Sequence, residues 1–204
     1  MAGDKLKLVF ATNNQHKLKE IKAMLKDSIT ILSLRDIGCD DELPETSATL
    51  TGNALQKANY VFEKYGMACF ADDTGLEIDA LGGRPGVYSA RFAGLNASYQ
   101  ENVEKVLTEM KGVENRNARF KTVIALITEN EQKCFDGVIE GEITMETKGK
   151  GGFGYDPVFL PIGTGKTFAE MTEDEKNKIS HRGRALIGLI DYLGKADVIR
   201  DHSN

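Results

Sequence analysis

Lys5-Leu-Lys-Leu-Val-Phe-Ala11, then Thr12-Asn13-Asn14-Gln15, then Leu18, Ile21, Met24 and Leu25, is the passage that decides the fold class. The first stretch alternates and then runs apolar, which predicts a strand entering a core. The polar quartet predicts a turn with an N-cap. The apolar residues at spacings of three and four predict a helix after it. A strand that feeds a helix through a short turn is the start of an α/β chain.

Working outward, residues 29–34 read as a second strand and 38–47 as an acidic, proline-containing loop. Residues 51–65 read as a helix with Leu55, Ala58, Val61 and Phe62 on one face. Met67-Ala-Cys-Phe-Ala71 reads as a short strand ending abruptly at Asp72-Asp73-Thr74-Gly75. Residues 82–86 (Gly-Gly-Arg-Pro-Gly) read as loop. A helix is expected over 99–110 and a hairpin over 120–127 and 133–140, turning at Glu129-Asn130. A second glycine-rich loop, 149–154, leads to Asp156-Pro157 and a short strand over 158–160. The chain closes with a capped helix whose core-facing part is 184–193. Helices and strands alternate early and a β-rich stretch follows, so a mixed-sheet α/β protein is expected, arranged in two lobes.

The chain has 204 residues, 26 Lys+Arg against 31 Asp+Glu, and a net charge of −5. This balance argues against a protein that coats nucleic acid, which carries a basic excess. Cys39, Cys69 and Cys134 lie far apart with no CxxC, which disfavours a disulfide framework or zinc site and suits a reducing cytoplasm. The apolar run Leu8 to Ala11 is too brief for a signal peptide, and no apolar segment approaches the roughly 20 residues that span a bilayer. A soluble, cytoplasmic protein without a membrane partner is expected.

Two nucleotide-like patterns fail on inspection. Gly149, Gly151 and Gly154 match GxGxxG, but Tyr155-Asp156-Pro157 follows where a helix must open, and proline forbids it. Gly165-Lys166-Thr167 resembles the end of a P-loop, yet Leu160 replaces its first glycine. The Thr12 to Lys17 turn is better placed: amides at a helix N-terminus attract anions and Lys17 adds a cation, although a plain capped helix also explains it. Asp72-Asp73 at a strand end, with Glu45 in the acidic loop, offers hard oxygen ligands for Mg²⁺; an Asx turn with solvated side chains is the alternative. Lys57, taken alone, is a solvated helix lysine. Ser180-His181-Arg182 puts cations in a helix's first turn, where they oppose its dipole unless an anion is near. Phe153 and Tyr155 read as exposed loop aromatics of the kind that stack on bases. Cys69 reads as core, and His202 as part of a frayed tail with no role.

Five stretches together resemble the inosine triphosphate pyrophosphatase family, hydrolases of deaminated purine nucleotides. They are residues 10–17, 53–58, 71–91, 151–159 and 175–186, in the family's order and over nearly the whole chain. The resemblance implies an elongated mixed sheet flanked by helices, a cleft between two lobes and a homodimer. It implies Mg²⁺-dependent cleavage of inosine, deoxyinosine and xanthosine triphosphates to the monophosphate and pyrophosphate. Carried over by position, Thr12, Asn13, Asn14, Gln15, His16 and Lys17 hold the triphosphate, with Lys57 as a second cation. Glu45 and Asp73 hold Mg²⁺, and Asp73 also orients or deprotonates the attacking water. Thr74 stands where the family often has serine. Phe153, Gly154, Tyr155, Asp156, Lys176, His181 and Arg182 hold the base. Asn13 stands where many relatives have glycine, and Gly52 where many have glutamate. Two other readings are weaker. A Maf-like pyrophosphatase of modified pyrimidine nucleotides fits Lys17 and the Ser180-His181-Arg182 run poorly. A non-catalytic nucleotide sensor has no need of Asp73, Glu45 and Lys57.

Overall fold

The computed structural model describes residues 6–25 and 29–201, the last six in backbone only; Lys5 and His202 lie outside the described residues. The strands are β1 (Lys7–Phe10), β2 (Thr30–Leu32), β3 (Cys69–Ile78), β4 (Pro85–Gly86), β5 (Asn117–Ile127), β6 (Gln132–Ile143) and β7 (Phe159–Pro161). The helices are α1 (Gln15–Leu25), α2 (Leu50–Tyr65), α3 (Tyr99–Glu109), α4 (Glu173–Ile179) and α5 (His181–Asp201). The strands form one sheet in the order β2-β1-β3-β5-β6-β7, with β4 paired to β3. Parallel and antiparallel pairs coexist: β1 runs parallel to β2 and β3, while β3–β4 and β6–β7 are antiparallel. The mixed α/β class expected from the sequence is the observed one.

The chain divides into two compact units. The first takes residues 1–73, 123–137 and 182–204; the second takes 74–122 and 138–181. In the first, Leu8 and Phe10 of β1, Ile21 and Leu25 of α1, Phe70 of β3 and Leu186 and Leu189 of α5 form a core. Phe10 stacks on Phe70 at 4.7 Å between centroids, as their paired positions in the parallel ladder require. Helix α2 is capped by Thr49, whose side chain accepts from the Gly52 amide, and ends at Gly66 in the left-handed region. Its buried residues are Leu50, Asn53, Ala54, Lys57, Ala58 and Val61, a helical stripe into which two polar side chains are set.

In the second unit Leu76, Ile78, Val106, Met110, Phe120, Phe159 and Phe168 form a separate core. Helices α3 and α4 both open on capping boxes, Ser98 with Glu101 and Thr172 with Glu175.

Two expectations are corrected. Strand β3 does not stop at Ala71 but runs through Asp72-Asp73-Thr74-Gly75 to Ile78. Residues 82–86 are not all loop, because Pro85 and Gly86 pair with Glu77 and Leu76. Among the described residues no helix is long and apolar enough to cross a membrane.

Candidate active site

Because β3 continues through the two aspartates, its pleat sends them to opposite faces of the sheet. Each then meets its own set of partners within the first unit. Asp72 is fully buried; its Oδ1 accepts from Lys17 Nζ at 3.0 Å and its Oδ2 from Arg182 Nε at 3.1 Å. Arg182 Nη1 is also bonded to Glu20 on α1. Burial works against the Asp72 charge, but Lys17 and Arg182 outweigh it and hold the carboxyl well below the usual carboxylate range. For Lys17 burial wins and lowers its pKa despite Asp72.

On the other face Lys57 Nζ bonds to Glu45 and lies 3.6 Å from Asp73 Oδ1. Lys57 is only 4% exposed, so it is not the solvated helix lysine that its position alone suggests. Burial opposes its charge, and the carboxylates of Asp73, Glu45 and Asp72 overcome that and raise its pKa. Asp73 is shifted the other way from Asp72: burial pushes its carboxyl up against the pull of Lys57 and Lys17. Asn53 donates to Asp73 Oδ2 at 3.1 Å. Neighbouring carboxylates of opposite shift are what divides labour in many hydrolytic sites.

The Thr12 to Lys17 turn is built around Asn14. Its Oδ1 accepts from the amides of His16 (3.0 Å) and Lys17 (3.2 Å), and its own amide donates to Thr12 Oγ1. That is N-cap geometry. Asn13 faces the acidic loop: its Nδ2 donates to the Asp41 carbonyl at 3.1 Å and its Oδ1 accepts from the Leu43 amide at 3.4 Å. Gln15 and His16 are exposed on the first turn of α1.

The sequence-predicted base-holding residues Phe153, Gly154, Tyr155, Asp156, Lys176 and His181 all belong to the second unit, and Arg182 to the first. Lys176 is buried, with its Nζ 2.6 Å from Asp156 Oδ2, 4.8 Å from the Phe153 ring centroid and 5.5 Å from that of Phe168. Asp156 Oδ2 also accepts from the Phe153 amide at 2.9 Å. Gly152 allows this, since a Cβ there would come within 2.0 Å of that oxygen and its φ is +69°. Gly154 is half-buried in the same loop. His181 stacks on Phe120 at 4.5 Å and 14°. Thr74 Oγ1 lies 2.6 Å from Thr122 Oγ1.

Tyr155 corrects the reading of this loop. It is buried, its hydroxyl donates to the Ser89 carbonyl at 2.8 Å, and burial pushes its phenol pKa up. Only Phe153 of the two aromatics keeps a partly open ring, tilted 47° against Tyr99. Arg182, in the first turn of α5, finds its counter-charges within the protein, in Asp72 and Glu20.

Glu20 and Asn53 are residues to which the sequence assigned no role, and Asp72, read there with Asp73 as a hard-oxygen ligand, instead takes up Lys17 and Arg182. Period-two alternation points to Asp72, and the four-residue spacing from Asn53 to Lys57 points to Asn53. Glu20 carries no local signal.

Among the described residues no group of three or more His, Cys, Asp or Glu could hold a metal by itself. Glu45 and Asp73, both against the Lys57 ammonium, nevertheless form a hard-oxygen pair. Mg²⁺ is bound in this way where substrate phosphates complete the coordination.

A family model described as the Ham1 family matches residues 8–192. A dITP/XTP pyrophosphatase of Flavobacterium johnsoniae is 54% identical over 188 residues, covering 92% of this chain and 98% of that protein. One of Porphyromonas gingivalis is 53% identical over 188 residues, covering 92% and 97%. The structure of the Staphylococcus aureus Ham1 protein aligns with a TM-score of 0.85 at 36% identity, over 93% of this chain and 99% of that one. Similarity that spans nearly the whole of each chain, in sequence and in fold, makes this protein a member of the Ham1 family.

Proposed function

We propose that the protein is a nucleoside-triphosphate pyrophosphatase acting on deoxyinosine, inosine and xanthosine triphosphates, with Mg²⁺ as cofactor. The observation that carries this is the Lys57 ammonium shared by Glu45 and Asp73, beside a strand that buries Asp72 against Lys17 and Arg182. Relatives more than half identical to the chain are dITP/XTP pyrophosphatases.

In this reaction a water oxygen bonds to the α-phosphorus and the bond to the α–β bridging oxygen breaks, giving monophosphate and pyrophosphate. Asp73 orients that water or accepts its proton. Lys17 and Lys57 neutralise the phosphates, and the Thr12–His16 turn seats them. Glu45 and Asp73 hold Mg²⁺, which when bound supplies charge stabilisation to the phosphates. Asn13 serves the same turn through its grip on the acidic loop.

The base falls to the Phe153 ring, to the Gly154–Asp156 turn, to Lys176 and to His181. Hypoxanthine and xanthine present an acceptor oxygen at C6, where adenine presents an amine. A buried donor there, Arg182 or a backbone N–H, would face adenine's amine without an acceptor. Each such mismatch costs about 1–3 kcal/mol. On this reading the protein acts as a cytoplasmic homodimer with the nucleotide as its small-molecule substrate.

Hydrolysis of deoxyinosine, xanthosine, adenosine and guanosine triphosphates with and without Mg²⁺ tests the proposal, with pyrophosphate and orthophosphate assayed separately. Mg²⁺-dependent pyrophosphate from the first two is the expected result, and Asp73→Asn is expected to remove it by orders of magnitude while nucleotide still binds. Orthophosphate as the product, or turnover of adenosine triphosphate at the same rate, overturns it. An unchanged inosine-over-adenosine preference in Arg182→Ala assigns the discriminating donor to the backbone.

A further inference from the structure

Asn53 lies on the buried stripe of α2, four residues before Lys57, so the two side chains share one helix face. Both reach the same two elements. Lys57 meets Glu45 of the acidic loop and Asp73 of β3. Asn53 accepts from the Ser47 amide of that loop at 2.8 Å and donates to Asp73 Oδ2 at 3.1 Å. A backbone N–H can only donate, so the amide atom facing Ser47 is the oxygen and the one facing Asp73 is the nitrogen. With Oδ2 taken by this N–H, it is Oδ1 of Asp73 that faces Lys57.

We propose that Asn53 is a positioning residue that fixes the Glu45 loop and the Asp73 carboxylate in register, so that the two carboxylates can act on one metal ion. The proposal rests on the functional reading above for the identity of the pair. An uncharged amide is the side chain the place demands. An ionised carboxylate at 53 would sit within hydrogen-bond distance of Asp73 and repel it, and an aliphatic residue would leave a buried Asp73 oxygen without its donor. The loop is held along its length by other amides as well. Asn13 grips Asp41 and Leu43, while Gln56 accepts from the amides of Thr46 (3.0 Å) and Ser47 (3.2 Å). Of these side chains Asn53 is the one that touches Asp73, and it is 1% exposed, so water does not substitute for it.

The test compares Asn53→Ala and the gentler Asn53→Ser with Ser98→Ala, which removes the α3 N-cap and lowers stability without touching either carboxylate. Mn²⁺ binding is followed by electron paramagnetic resonance with an α,β-methylene inosine triphosphate that cannot turn over. Melting temperatures are recorded for the same samples. Mn²⁺ affinity is expected to fall about 10–100-fold in Asn53→Ala, the usual range for losing a partner that orients a ligating carboxylate, and by less in Asn53→Ser. In turnover the loss is expected in kcat, with the nucleotide KM nearly unchanged. Ser98→Ala is expected to melt earlier and bind Mn²⁺ as the wild type does. Wild-type Mn²⁺ affinity in both Asn53 variants, with only their melting lowered, assigns Asn53 to folding and overturns the proposal. Wild-type protein that releases no pyrophosphate overturns the functional reading alone, since the Mn²⁺ titration still judges Asn53. Wild-type protein that binds no Mn²⁺ overturns both.

Discussion

Arg182 Nε and Asp72 Oδ2 lie 3.1 Å apart although 110 positions separate them in the chain, and neither side chain is more than 2% exposed. Arg182 sits in the first turn of α5, the end of a helix that disfavours cations. Asp72 sits in the middle of a strand beside another aspartate. Each residue is costly where it is, and each offsets the other.

Removing one partner of such a pair strands the other. Arg182→Ala leaves Asp72 and Glu20 facing the vacated space, and a loss of about 3–5 kcal/mol is expected. Arg182→Lys is expected to recover little of it, because an ammonium cannot present the fork that spans two carboxylates. Urea denaturation of the three proteins measures this. A loss under about 1 kcal/mol would mean that the pair contributes no more than an exposed one.

The pH dependence has a definite sign. Asp72 is held below its ordinary value of 3.8 in the folded protein, so its stabilisation is in place above about pH 4 and is lost as the pH falls through the lowered value. Asp73, raised by burial, contributes with the opposite sign. The difference between wild type and Asp72→Asn isolates the first effect. That gap in unfolding free energy is expected to be largest near neutrality and to narrow below pH 4; a constant gap from pH 7 to pH 2 contradicts it.

Arg116 closes a different set of contacts. Its guanidinium donates to the carbonyls of Ile143, Met110 (3.0 Å) and Thr144 (2.7 Å), tying the end of α3 to the end of β6. Arg116→Lys keeps the charge but cannot reach three divergent oxygens, and about 1–3 kcal/mol of stability is expected to go. A thermal melt within one degree of wild type would sink this.

The three cysteines should react in two classes. Cys134 is exposed while Cys39 and Cys69 are buried, and burial pushes the Cys69 thiol up to about 12. A thiolate is the reactive form, so at pH 8 Cys69 is inert in the folded state. One fast thiol in native protein and three after denaturation is the expected titration with a disulfide reagent. Fast labelling of Cys69 would mean that the strand opens on that timescale.

What was legible in the sequence was what nearest neighbours determine. The β1–turn–α1 unit, the hairpin turning at Glu129-Asn130, the long α2 and the core role of Cys69 all follow from apolar spacing and turn chemistry. The middle of β3 was not legible. Two adjacent aspartates read locally as a strand end, and they stay in the strand because the partners of Asp72 arrive from 55 and 110 positions away and those of Asp73 from α2. Lys57 read as solvated for the same reason, since Glu45 and Asp73 become its neighbours only on folding. Tyr155, flanked by glycine, read as exposed; the Ser89 carbonyl that lets its hydroxyl be buried is 66 residues away.

Gly52, the amide donor to the cap of α2, has one further consequence. A Cβ built on it would lie 1.9 Å from Ser47 Oγ and 2.6 Å from Ser47 Cβ. Turning the Ser47 hydroxyl relieves the first contact but not the second. Positions 47 and 52 are thus a matched pair: a chain that places glutamate at 52 must set the preceding loop elsewhere. Grafting that glutamate here as a single change would displace the segment that carries Glu45, so an exchange of this region between relatives succeeds only when the loop and the first turn of the helix are moved as one piece.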